Sequence, residues 1–377
     1  MRKLVVFPSD PIDAYIEKGA TLKYLDEYYN PGDYFDEVYI MTPWKTKQSD
    51  HGKIKYISEP VRKYKEIIKK IGPVAVRAYG GYHSSEWMAC SRVKGIPTLV
   101  SIHDTNPELI FNAVKYADYI ICMADCVKES VINKLGIPDE NIFILPNRVD
   151  IEMFSNRLTE NKRKQLTEKF GEGKHLLHVG RKVEQKNLES VIKSLKYLKN
   201  DVSAIFVGTG DSSSYINLAK EVGVYDRCYF INSVPIDELA DWFTWCDCMC
   251  TPSLWEGFGK VFMEAASSEA AIVTSDIAPM NTYLKNNNNA VLVRDYRDPR
   301  EIAKAVKKII YDEAFSGTLR KNARKVGYRF SKDVVDKAEI EIYKYAIEHG
   351  SVCKKMNIRD GFKIYWRYKR FWLREKG

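Results

Sequence analysis

Short apolar runs alternate with amphipathic stretches along almost the whole of this chain. Residues 4–7, 37–41, 74–78, 97–101 and 119–122 each read as a buried strand, and residues 84–93 and 125–134 fit helices between them. Apolar runs without a polar face, spaced by helical patterns, predict parallel sheets covered by helices on both sides. The series restarts at 175–180 and continues at 203–207, 228–231, 248–250, 271–274 and 291–293. Between the two series, residues 156–169 are polar with little apolar face, so the junction is expected there. This predicts a Rossmann-like domain over 1–155, a second over 156–330, and a closing segment over 331–377. A helical run at 331–348 opens that segment, and the asparagine run 286–289 predicts a turn.

Composition narrows the class. At 377 residues the chain is long enough for two domains, and 45% hydrophobic with 29% charged residues excludes a disordered chain. No apolar run reaches the length of a membrane span, and the apolar stretch after Met1 is too short for a signal peptide. The eight cysteines include no Cys-x-x-Cys pair. Cys246, Cys248 and Cys250 alternate along what reads as one strand face, where ligands two apart do not close a tetrahedron around a metal ion. They read as reduced core residues, with a cytoplasmic setting and no metal site expected.

Candidate chemistry lies just after strands, where doubly wound sheets bind ligands. After the strand at 248–250 come Ser253, Glu256, Gly257, Phe258, Gly259, Lys260, Val261 and Glu264. The glycines let backbone approach a ligand, and Glu256 and Glu264 can each accept two hydrogen bonds from a vicinal diol. After the strand at 175–180 come Gly180, Arg181 and Lys186, cations placed where a diphosphate would meet a helix start. After the strand at 97–101 come His103 and Asp104, a candidate hydrogen-bonding ring and either an acceptor-side base or a helix cap. Gly208 follows the strand at 203–207.

Together these motifs resemble family 4 of the retaining glycosyltransferases. The run from Pro252 through Glu256 to Glu264 is similar to the family's Glu-x7-Glu element. Pro146-Asn147-Arg148-Val149-Asp150 is similar to its inter-domain signature, and Gly208-Thr209-Gly210 to its glycine turn. The resemblance implies the GT-B fold, two facing Rossmann-like α/β domains with a C-terminal crossover helix. It also implies metal-independent transfer of a sugar from a UDP- or GDP-sugar to a hydroxyl acceptor with retention, and no separate cofactor. Arg181 and Lys186 would hold the diphosphate and Glu264 the ribose. Glu256 and the amides of Gly257, Phe258 and Gly259 would hold the sugar, with His103 contacting it. Lys260, Val261, Gly180 and Gly208 would complete the donor site. Departures are Arg148, Asn187 and Asp104 where the family has glycine. The family's N-terminal Gly-Gly loop is absent, leaving Lys18 and Gly19 as a shortened loop of the first domain that reaches either the acceptor or the donor. A sugar-nucleotide epimerase of the same fold and a non-catalytic relative are the alternatives.

Net charge is +9, but nine basic and only two acidic residues fall after position 350. Over 354–376, Ile364, Tyr365, Trp366, Tyr368, Phe371, Trp372 and Leu373 interleave with Lys363, Arg367, Lys369, Arg370 and Arg374. Such a helix either lies on an anionic membrane surface, giving a peripheral place at the inner face, or packs on the first domain. Expected partners are the nucleotide-sugar donor and a glycan or lipid-linked acceptor; nucleic acid is not expected.

Overall fold

Apolar runs with no polar face are driven inside, and the five runs of the first series, joined by two further strands, form a seven-stranded parallel sheet. Its strands are β1 (Lys3–Phe7), β2 (Glu37–Thr42), β3 (Ile54–Ser58), β4 (Ala75–Tyr79), β5 (Thr98–Ile102), β6 (Tyr119–Cys122) and β7 (Ile142–Ile144). They lie in the order β3-β2-β1-β4-β5-β6-β7. The second series forms a six-stranded parallel sheet of β8 (Lys174–Val179), β9 (Val202–Val207), β10 (Cys228–Ile231), β11 (Cys248–Thr251), β12 (Ile272–Ser275) and β13 (Val291–Val293). Their order is β10-β9-β8-β11-β12-β13. Each order reverses once, between β1 and β4 and between β8 and β11. Doubly wound sheets bind their ligands outside the carboxyl ends of the strands at such a reversal.

The computed structural model describes residues 1–17, 20–155, 158–351 and 356–373, with side chains of the last helix as far as Arg367. It divides into a first unit, Met1–Pro146 with Asp333–Gly377, and a second, Asn147–Lys332. The division falls ahead of the 155/156 boundary read from the sequence. Val149 donates its N–H to Phe330 O at 2.8 Å, and Phe154 is buried against Phe243, so residues 147–155 belong with the second unit. The polar stretch that suggested the junction contains the helix Glu160–Phe170, capped by Thr159 and burying only Leu166 and Phe170. Cys248 and Cys250 lie in β11, but Cys246 precedes it at the end of the helix Ile236–Trp245, so the three do not share one strand. All three are free and buried, and burial pushes the Cys246 and Cys250 thiols up to about 12.

The helix Lys332–His349 packs within the first unit through a buried ion pair. Arg77 on β4 is 2% exposed and pairs with Glu339, which is 1% exposed. The guanidinium also donates to the Tyr343 hydroxyl and to Ser101 Oγ, each at 3.0 Å, and lies 4.6 Å from the Tyr79 ring centre. A buried cation with this many partners is costly to remove, because its carboxylate stays behind in low dielectric. Arg77→Met is therefore expected to cost ~3–5 kcal/mol in urea unfolding, and the double variant Arg77→Met with Glu339→Leu distinctly less.

Candidate functional site

The reversal between β8 and β11 brings two loops together in the second unit. β8 ends at Val179; a single turn of 3-10 helix, Glu184–Lys186, follows, and the α-helix opens at Leu188. Lys186 thus sits in the turn before the helix. Its Nζ lies 2.5 Å from Oε1 of Glu256, in the loop after β11, and Ser253 Oγ donates to the same oxygen at 2.7 Å. The two side chains are 12% and 7% exposed, so the pair is largely out of water. Backbone bonds clasp the loops as well: Leu254 N donates to Gln185 O at 2.8 Å and Asn187 Nδ2 to Pro252 O at 3.0 Å. Asn187, one of the departures from the resembled pattern, has a left-handed backbone at φ 53°, ψ 42°. Asparagine is one of the few residues with a Cβ that visits this region readily. His178 is buried, its Nε2–H donates to Lys186 O at 2.9 Å, and burial pushes its pKa down to about 4. It stays a neutral donor that fixes the Lys186 turn.

Two glycines permit this convergence. Gly208, at φ 148°, follows β9, and a Cβ there would overlap the carbonyl of Gly180. Gly180 in turn underlies the Lys186 stem, whose carbons lie 3.1 Å from where its own Cβ would stand. Gly259, at φ 79°, caps the helix Lys260–Ser267, and a Cβ would come within 2.6 Å of the Phe262 ring. The Phe258 ring is core, packed at 5.4 Å from Tyr283 and 5.3 Å from Phe330, so only its backbone, like that of buried Gly257, remains for a ligand. Glu264 is buried one turn into the helix and pairs with Lys260 at 3.3 Å, beside half-buried Val261. Arg181 is exposed and makes no ion pair among the described residues. Sequence reasoning passed over Lys182. Its buried ammonium donates to the carbonyls of Gly208 and of Ile231, the latter at 2.8 Å, and burial lowers its pKa. It pins the ends of β9 and β10; nothing in a basic cluster signals which lysine turns inward.

In the first unit, the ends of β1, β4 and β5 frame a cleft of about 310 Å³ lined by Asp10, Tyr15, Tyr28, Tyr82, His103 and Asp104, among others. The His103 ring stacks on Tyr79 at 6.4 Å, and burial together with the charge of Arg77 pushes its pKa down to about 4. Asp104 Oδ1 accepts from Asn106 N at 2.8 Å, and it is Asn106 that caps the next turn, accepting from Glu108 N at 2.9 Å. The cap expected of Asp104 therefore belongs two residues on. The tyrosines were invisible as a group because they are scattered along the sequence. Lys18 and Gly19 lie outside the described residues.

Residues 159–326 match the family described as Glycosyl transferases group 1. An uncharacterized glycosyltransferase of Methanocaldococcus jannaschii is 24% identical over 311 residues, covering 75% of this chain and 80% of that one. A D-inositol 3-phosphate glycosyltransferase of Xylanimonas cellulosilytica is 26% identical over 243 residues, 62% of this chain and 58% of that one. Among solved structures, Anabaena HepE in complex with UDP-glucose superposes with a TM-score of 0.75 at 17% identity, covering 91% of this chain and 99% of that one. That likeness is one of fold, GT-B. The chain is similar to glycosyltransferases over most of its length, and its second unit carries the match to the group 1 family.

The Lys186–Glu256 pair predicts coupled stability. Lys186→Met is expected to cost ~3 kcal/mol in urea unfolding, and adding Glu256→Gln should return part of that loss. The depressed histidines predict a pH dependence. His103 and His178 titrate near 4 in the fold and near 6.5 when unfolded. The unfolded chain therefore takes up protons first, and stability present above about pH 6.5 falls as pH drops towards 4. Urea midpoints across that window should decline, with a shallower slope in His103→Gln.

Proposed function

We propose that this glycosyltransferase moves a sugar from a UDP- or GDP-sugar to the hydroxyl of a sugar acceptor, free or lipid-linked, with retention. The observation that carries the reading is the buried Lys186–Glu256 pair, held at the strand reversal of the unit that matches the family. An ammonium and a carboxylate fixed side by side suit a ligand that is anionic at one point and rich in hydroxyls at the next. Lys186 and exposed Arg181 meet the diphosphate, Glu256 and the amides of Gly257, Phe258 and Gly259 the transferred sugar, and Glu264 the ribose. The complex of HepE with UDP-glucose favours the uridine donor.

In the reaction the bond from the anomeric carbon to the diphosphate oxygen breaks and a bond to the acceptor oxygen forms on the same face. The acceptor proton passes to the departing phosphate oxygen, whose charge Lys186 and Arg181 stabilise. Glu256 serves as a binding group rather than a nucleophile, because Lys186 and Ser253 already engage its Oε1. His103 stays neutral above about pH 4 and contributes a hydrogen bond, not a titrating proton.

The acceptor is assigned to the first-unit cleft. Tyr15, Tyr28 and Tyr82 offer flat apolar faces for a pyranose, and Asp10 and Asp104 accept from hydroxyls. No Lys or Arg lines that cleft among the described residues, which favours an uncharged sugar over a phosphorylated polyol.

Thermal shift against UDP-, GDP- and ADP-sugars tests the donor, since a ligand at a hundred times its Kd adds about 2.7 kcal/mol. A shift from a UDP- or GDP-sugar, lost in Lys186→Ala, is expected; no shift with any of them sinks the reading. For transfer, Lys186→Ala and Arg181→Ala should each lower kcat about a hundredfold or more. Tyr82→Ala should raise KM for a sugar acceptor while leaving the UDP shift unchanged.

A further inference from the structure

The C-terminal helix Ile358–Leu373 has two faces with opposite fates. Asp360, Ile364 and Arg367, at steps of four and three, turn into the first unit. Asp360 is 8% exposed, accepts from the Tyr116 hydroxyl at 2.7 Å and pairs with Lys115 at 2.7 Å. Ile364 is 4% exposed and packs with Ala89, Ala113 and Tyr116. Arg367 donates to Glu86 at 2.7 Å and lies 4.5 Å from the Phe111 ring centre. The opposite face carries Ile358, Phe362, Tyr365 and Trp366, at steps of four, three and one, and these are 90%, 62%, 41% and 52% exposed. Phe362 and Trp366 touch edge to face at 5.8 Å. Arg359 and Lys363, both exposed, flank the stripe.

We infer that this outer face seats the first unit on an anionic lipid surface. The helix is already docked by its inner face, so its own fold does not need the aromatic stripe. Tryptophan and tyrosine rings beside arginine and lysine are the composition that settles at the boundary of headgroups and acyl chains. Charge decides between occupants. The one acid among the helix's described side chains, Asp360, is buried against Lys115, so the outer rim presents cations alone. A second copy would set those cations against their like; an anionic bilayer complements them. The helix lies on such a surface rather than crossing it, since among the described residues no helix is long and apolar enough to span a membrane. Beyond Arg367 the sequence continues with Tyr368, Lys369, Arg370, Phe371, Trp372 and Leu373, whose side chains, like all of Arg374–Gly377, lie outside the described residues.

The test is sedimentation of the full chain with vesicles of phosphatidylcholine alone and of equal parts phosphatidylcholine and phosphatidylglycerol. Binding to the second and not the first, weakening as salt rises, is the expected result. Phe362→Ser with Trp366→Ser, and separately Arg359→Glu with Lys363→Glu, should each cut the bound fraction about tenfold. Their thermal shifts with UDP should stay unchanged, which reports the fold independently of the surface. Three results would each overturn the assignment. They are no vesicle binding, equal binding by wild type and both variants, and a self-association in solution that the variants abolish without any vesicle dependence.

Discussion

The second unit's candidate site depends on one buried ammonium–carboxylate contact, Lys186 to Glu256. The two residues are seventy apart in sequence, yet they leave adjacent strands, β8 and β11, at the point where the sheet order reverses. Neither charge would be stable in so dry a place alone. Together, with Ser253 on the same oxygen and His178 bracing the Lys186 turn, they are. The glycines at 180 and 208 follow from this constraint: a Cβ on Gly208 would strike the Gly180 backbone, and one on Gly180 would crowd the Lys186 stem.

The first unit repeats the topology with the opposite chemistry. Its reversal between β1 and β4 is lined by tyrosines and carboxylates, and the buried cation Arg77 is consumed by Glu339, Tyr343 and Ser101. Arg77 still acts at a distance, since its charge helps to hold His103 neutral. In the proposed reading the loops of the second unit, with Lys186 and Arg181, suit a diphosphate, and the first-unit cleft, with its carboxylates, suits hydroxyls.

Much of this was legible in the sequence. Central strands such as β1, β5, β8 and β9 are buried on both faces, and so appear as predominantly apolar runs. β3 and β7 escaped because the first carries Lys55 and Ser58 among its apolar residues and the second is only three residues long, which leaves Ile54-Lys-Tyr-Ile-Ser and Ile142-Phe-Ile without a distinctive pattern. The helix Glu160–Phe170 escaped for a related reason: Leu166 and Phe170, four apart, are its only buried side chains. The Glu256 to Glu264 segment was readable because its chemistry is contiguous. The tyrosine cleft was not, because strand order, not sequence order, assembles it.

Asn187 shows what separates a departure from a defect. Against a family pattern it looks like a lost glycine, and glycine there implies a backbone that side chains avoid. The backbone is indeed left-handed, and asparagine meets the requirement while adding something glycine lacks. Its Nδ2 bonds the carbonyls of Pro252 and Tyr296, at 3.0 and 2.8 Å, and so ties the turn carrying Lys186 to the strand end that leads to Glu256. A glycine would give the same turn and lose both bonds. The substitution therefore shifts part of the work of holding the ion pair from the charges to a neutral amide. For the proposed function a neutral tie has a consequence: it would persist with a donor phosphate on Lys186, so the loops would stay in place while their charges change partners.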